Sequence, residues 1–220
     1  MSVSVAAPQD QRAWWLRTLL VLQAPRAVFV ALRDDSTDAA DARQEPVTAI
    51  VFLAGIAGVL MTPRFGALYD DPAIDAVLLL VLTIFAGSIY GFFAYWLGGW
   101  ALSRGARALG AHGGARLSRH ILGFAATPLA LSLIVLPVRL AIYGSDVFRT
   151  GGADSSAGGD FLKWLTLAFA AWSIVLLVYG VRTVQRFTWG RAVAASAAAV
   201  GLVVAVLGSW VLLQVIGAVE

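Results

Sequence analysis

Apolar residues collect along this chain in five long runs, at 46–62, 74–102, 121–143, 161–181 and 192–218, divided by short polar stretches. Each run approaches or exceeds the roughly 17–25 residues that a helix needs to cross a bilayer. Backbone groups inside hydrocarbon must be satisfied within the protein, so runs of this length predict membrane-crossing helices. The expected fold class is all-α, an integral membrane bundle of five transmembrane helices forming one unit. The first run is the shortest and stops at Pro63 and Arg64. It either crosses with little tilt or continues to Tyr69 with Arg64 snorkelling.

Ahead of the spans the pattern changes. "QRAWWLRTLLVL" mixes Trp14, Trp15, Leu16, Leu19 and Leu20 with Arg12 and Arg17. Pro25 suits the first position of a following helix, "PRAVFVALRDD". Two short amphipathic helices are expected here, either anchored in the headgroup layer or packed on the bundle. The polar run "DDSTDAADARQE" reads as a linker and "GSDVFRTGGADSSAGGD" as an external loop. The organisation expected is therefore 1–45, cytoplasmic interfacial helices and linker, followed by a membrane domain over 46–220.

Charge orients the spans. The composition is 60% hydrophobic and 13% charged, with mean hydropathy +0.81, whereas soluble domains carry about a quarter of their residues charged. Arg104, Arg107, Arg116 and Arg119 lie between runs two and three, and Arg182, Arg186 and Arg191 between runs four and five. The opposite connections carry Asp70, Asp71, Asp75, Asp146, Asp154 and Asp160 among their few cations. Basic loops resist translocation, which places the N-terminus inside and Glu220 outside. Arg outnumbers Lys 15 to one and Ala, Gly and Val abound, pointing to a GC-rich bacterial genome and to the bacterial cytoplasmic (inner) membrane. No cysteine is present, and Arg17 breaks the first apolar run in a way that argues against a signal peptide.

The third run, "GFAATPLALSLIVLPVRLAIY", carries two prolines and an arginine. Pro128 deprives the Phe124 carbonyl of its helical partner and Pro137 that of Leu133. Thr127 and Ser132 stand close enough in sequence to compensate. Either the breaks form a hinge or a ligand-lined cavity, or they are fixed bends that let helices pack. Arg139 lies about one turn from the end of its run, so it snorkels outward or faces the interior. Gly87, Gly91 and Gly98 in the second run, and Gly201 and Ala205 in the fifth, form small-residue stripes suited to close helix packing, within the bundle or between copies.

The residues exclude much chemistry. No Asp or Glu falls in the middle of a run, so a midplane proton relay or cation site lacks its usual groups. His112 and His120 sit in a basic loop without carboxylate or cysteine nearby in sequence, and "ALGAHGGAR" lacks the Lys and Ser/Thr of a phosphate loop. No catalytic residue, cofactor or metal is expected. Each inner Arg gains about 1 kcal/mol beside an anionic leaflet, so the clusters either set topology alone or also hold acidic headgroups or a partner.

The last two runs, in "AAWSIVLLVYGVRTVQRFTWGRAVAASAAAVGLV", join through a short basic turn containing "FTWGRA". Before them, "YWLGGWALSRGARALGAHGGARLSRHILGFAATPLALSLIVLP" has a glycine-rich helix end, a basic loop and an "A-x-x-P-L" type break. Together, over roughly residues 14 to 215 and including "APRAVFVAL", these resemble the Ypt-interacting protein (YIP) domain family in its bacterial branch. The resemblance implies a five-helix membrane domain with a cytosolic N-terminus. Eukaryotic relatives bind prenylated Rab-type GTPases and carry a D-L-Y-G-P type motif before the first span. Here that region reads "DARQEPVTAIVF", so Rab binding is not carried over. The expected function is that of a non-enzymatic membrane protein organising lipid or protein partners through a basic cytoplasmic face. The alternative is a transporter, channel or flippase using the broken third span. Expected partners are membrane lipids, anionic ones included, and a membrane protein or a second copy of the chain, with no nucleic acid.

Overall fold

Helices account for every regular element in the computed structural model, which describes residues 8–62, 70, 76–144 and 156–217. In chain order these are α1 (Pro8–Gln23), α2 (Pro25–Ala31), α3 (Thr37–Leu60) and α4 (Ala76–Ala108). The third span follows in pieces: α5 (Ala115–Ala125), α6 (Thr127–Leu131), a 3-10 turn (Ser132–Ile134) and α7 (Val135–Tyr143). The chain ends with α8 (Ala157–Gln185) and α9 (Trp189–Gly217). Five segments are long and apolar enough to cross a membrane: Thr37–Leu60, Val77–Ala108, Ala115–Tyr143, Ala157–Gln185 and Trp189–Ser209.

Local chemistry explains the helix ends. Pro25 opens α2, where a missing N–H is harmless. The Ser36 hydroxyl accepts from the Ala39 amide at 3.4 Å, and Asp38 sits in the first turn, where its charge complements the helix dipole. That cap corrects the linker expectation, because most of "DDSTDAADARQE" becomes the first turns of α3. The helix runs through Pro46, which is buried. Ser156 likewise caps α8 by accepting from the Gly159 amide at 3.4 Å. The stretch expected as an external loop, 144–160, ends in the first turn of α8; its residues 145–155 and any extension of the first span from Arg64 to Tyr69 lie outside the described residues.

α4 is the central helix, lying against α3 on one side and α9 on another, with α5 also in contact. Glycines permit the closest approach. A methyl group on Gly55 would collide with the Gly87 carbonyl and Gly91 backbone of α4, and one on Gly87 would stand 2.5 Å from the Ile56 Cα. The α4–α9 crossing is similar, with a Cβ on Gly105 falling 2.7 Å from the Ala195 carbonyl. Such contacts drive association in lipid, where burying apolar surface contributes little.

Buried side chains concentrate toward the end where α2, the α4–α5 turn and the α8–α9 turn meet. Trp14, Val28, Phe29, Leu32, Leu102, Ile121, Phe124, Leu176 and Val181 belong to one cluster there. α1 contributes Trp14 and Val21 to it while Leu16 and Leu19 point outward, 68% and 58% exposed. α1 therefore packs on the bundle and also displays a second apolar stripe. Farther along the spans Phe85, Phe93, Ile174 and Val204 are exposed, as side chains surrounded by lipid tails would be.

Candidate anion-binding end of the bundle

Hydroxyl groups gather around the first of the two prolines in the third span. Pro128 lies at the start of α6, after the helix has broken at Ala126, so its ring meets no continuing turn. The Thr127 hydroxyl donates to the Phe124 carbonyl at 2.9 Å, the very group that Pro128 deprives. The Leu129 amide donates to Ser173 Oγ of α8 at 3.0 Å, and the Ser132 hydroxyl donates to the Leu129 carbonyl at 2.7 Å. Hydroxyls on the span and on its neighbour thus replace the lost ladder. Pro137 is exposed on α7 and Arg139 half-buried.

The arginine-bearing end is built in two tiers. In the buried tier Arg43 is fully enclosed. Its Nε donates to His120 Nδ1 at 2.8 Å, its Nη1 to the Asp34 carbonyl at 2.7 Å and its Nη2 to Asp35 Oδ1 at 2.9 Å. Because His120 Nδ1 accepts, the ring is neutral and carries its proton on Nε2, which faces Gln44 Oε1 at 3.4 Å. Arg116 reaches the same Asp35 carboxylate at 3.2 Å and its carbonyl at 2.6 Å. The guanidinium of Arg43 lies 5.6 Å from the Trp14 ring centroid, and Trp14 meets Phe124 at 5.5 Å. One ion-paired knot therefore ties α1, the α2–α3 turn, α3 and α5 together. Beside it, the Ser36 hydroxyl and amide hold the Asp34 carboxyl below the usual carboxylate range.

In the outer tier arginines lie over aromatic rings. Arg119 stands 3.9 Å from the Trp96 centroid, Arg182 4.5 Å from Trp189 and Arg104 5.4 Å from Trp100, each worth about 0.5–1 kcal/mol at exposed sites. Arg33 caps α8 from the turn after α2, its Nε and Nη2 donating to the Thr183 carbonyl at 3.2 and 2.6 Å. α8 closes at Arg186, whose φ of 55° is left-handed. Between α2 and the α8–α9 turn these residues enclose a groove of about 470 Å³ lined by Arg26, Arg33, Arg182 and Arg186 with Tyr179 and Phe187.

A family model for the Yip1 domain matches residues 19–212. The chain belongs to the Yip1 domain family. No curated protein and no solved structure matches it. It is a multi-pass membrane protein of that family.

Within this Yip1 domain the residues singled out in the sequence separate into groups. Arg182 and Arg186 meet at the groove, while Arg116 is engaged in the knot. Arg107 and Arg191 are exposed at the ends of α4 and α9. Gly87 and Gly91 face α3, and Gly98 faces Leu122 at 3.0 Å from an added Cβ. A Cβ on Gly201 would meet nothing within 4 Å, and Ala205 is exposed. Among the described side chains of α9, those buried against the bundle are Ala192, Ala195, Ser196 and Ala199.

A second hollow of about 440 Å³ lies between α4 and α9, with Tyr90, Leu97, Leu122, Leu177, Ala199 and Val203 in its walls. Neither Pro128 nor Arg139 lines it. Sequence reasoning missed Arg43 and His120, the first because it lay in an apparent linker, the second because its partners are 76 and 77 residues away. The pairing of an isolated "DD" before a Ser cap with a lone Arg one turn and a half into the helix is the signal that was available.

Proposed function

We propose that this Yip1-domain protein is a non-catalytic component of the bacterial inner membrane that gathers acidic lipids, and membrane-protein partners with them, at a basic cytoplasmic face. The observation that carries this reading is the pairing of arginine with tryptophan at one end of the bundle, at Arg104–Trp100, Arg119–Trp96 and Arg182–Trp189. Trp rings and snorkelling guanidiniums settle together where chains give way to headgroups. Arg107 and Arg191 extend the same end into solvent. The outward stripe of α1, Trp15, Leu16, Leu19 and Leu20, suits insertion at that level beside the arginines. α1 and α2 then act as an interfacial collar ahead of the five spans.

The bonds made by Thr127 and Ser173 around Pro128 support a fixed bend in the third span, which weighs against the transport alternative. The test is extraction of the full chain into polymer-bounded native discs, followed by quantification of co-isolated lipid and protein. Anionic phospholipid is expected above its bulk fraction, and less of it around a variant with Arg104, Arg107, Arg119 and Arg191 replaced by Gln. Bulk lipid composition around both proteins, with no protein retained, would overturn the reading.

A further inference from the structure

The groove between α2 and the α8–α9 turn has a charge balance unlike that of the buried knot. In the knot, Asp35 answers two guanidiniums, those of Arg43 and Arg116. In the groove, Arg26, Arg33, Arg182 and Arg186 converge with no Asp or Glu among the described lining residues. Arg182 Nε is buried and, among the described residues, has no hydrogen-bond partner. A buried donor left unsatisfied costs about 1–3 kcal/mol, so an acceptor supplied by a ligand is the natural complement.

Two of these arginines are held in place by the fold. Phe29 of α2 packs on Gly180, where a methyl group would come within 2.6 Å of its ring. Tyr179 lies 6.2 Å from Phe29 and 6.1 Å from Trp189, forming an aromatic floor. Arg33 is fixed on the Thr183 carbonyl, and Arg182 on the Trp189 ring. Arg33 and Arg182 are therefore pre-arranged, which lowers the ordering entropy that opposes binding, while Arg26 and Arg186 are exposed.

We propose that this groove is a binding site for a phosphomonoester group. The inference rests on the reading of a headgroup-binding basic face and names its ligand class and location. A phosphomonoester carries about −1.5 to −2 charge and three terminal acceptor oxygens, against a single charge and two such oxygens on a phosphodiester. Guanidiniums meet those oxygens in bidentate pairs. Four cations without a resident anion are better matched by the dianion. The chemistry has two sources, the exposed phosphate of phosphatidic acid or a soluble phosphate ester, and Tyr179 and Phe187 on the groove wall favour the lipid.

The test uses the full chain reconstituted in phosphatidylcholine vesicles containing either phosphatidic acid or phosphatidylglycerol, with lipid occupancy read by native mass spectrometry. Wild type is expected to prefer phosphatidic acid by about fivefold, the equivalent of one added charge contact near 1 kcal/mol. R26Q/R186Q removes two exposed groove arginines and is expected to bring the preference below about twofold. R104Q/R107Q removes the same charge elsewhere and is expected to weaken both lipids by one factor, keeping their ratio. R26Q/R186G serves as a second fold-preserving variant, since glycine accepts the φ of 55° at position 186.

Loss of preference in the groove variants alone supports the site. Displacement of phosphatidic acid by millimolar glycerol phosphate assigns it to a soluble ester, and failure to displace assigns it to the lipid. Equal loss of preference in both variant pairs, or a wild type that binds both anionic lipids without preference, overturns the site and leaves the basic-face reading standing. A wild type that binds neither anionic lipid above phosphatidylcholine overturns both.

Discussion

Arg43 shows how much one side chain can carry in this fold. Its charge is out of water, and in such a place a cation persists only with partners on every donor edge. His120, the Asp34 carbonyl and Asp35 supply them. Breaking a fully buried pair costs about 3–5 kcal/mol. Asp35 remains partly exposed, so Asp35→Asn is expected to destabilise by about 1–3 kcal/mol, seen as a lower thermal midpoint in detergent. An unchanged midpoint would mean that Arg43 is held by its neutral partners alone. Thr127 is a smaller case of the same rule. Thr127→Val keeps the shape and deletes the bond to the Phe124 carbonyl, for an expected loss of about 0.5–1.5 kcal/mol by the same measurement.

Between helices the deciding quantity is backbone separation. Gly55, Gly87 and Gly91 bring α3 and α4 so close that no side chain fits between them. Gly55→Val or Gly91→Val is expected to spread the pair and cost at least about 1–3 kcal/mol, the range for overpacking. Gly201→Val on α9 meets open space and is expected to leave the melting temperature nearly unchanged. A protein that tolerates all three equally would have a looser α3–α4 crossing than described. The glycine spacing in the second span was visible in the sequence, but its partner was not. Gly55 sits in "LAGIAGVL", where Ala54, Ala57 and Gly58 are small as well, and only the crossing reveals which face α3 presents.

Across the whole molecule, five spans with the arginine-bearing turns at one end make an alternating topology. The absence of cysteine makes this directly measurable. A single cysteine at His112, in the exposed turn between α4 and α5, is expected to react with a membrane-impermeant maleimide from the opposite face to one at Lys163, near the start of α8. Reaction of both from the same side would remove one crossing from the count. The net charge of +3 is unevenly placed, and that unevenness, rather than its sum, is what an anionic surface would sense.

The five long apolar helices, and the placing of the arginine-rich turns between alternate ones, were determined by the sequence alone. Transfer of apolar residues out of water and the cost of moving arginine across a bilayer depend on composition within a window, not on distant contacts. The helical start of α3 was legible only in part, because a Ser cap and Asp in the first turn compete with a polar run that also suits a linker. Tertiary structure alone decided that Arg43 and His120 meet across 77 residues and that Arg26 and Arg33 join Arg182 and Arg186 around one groove. Pairings between distant segments follow from which faces pack, and a one-dimensional pattern of apolar residues is nearly the same on every face of a helix that lipid surrounds.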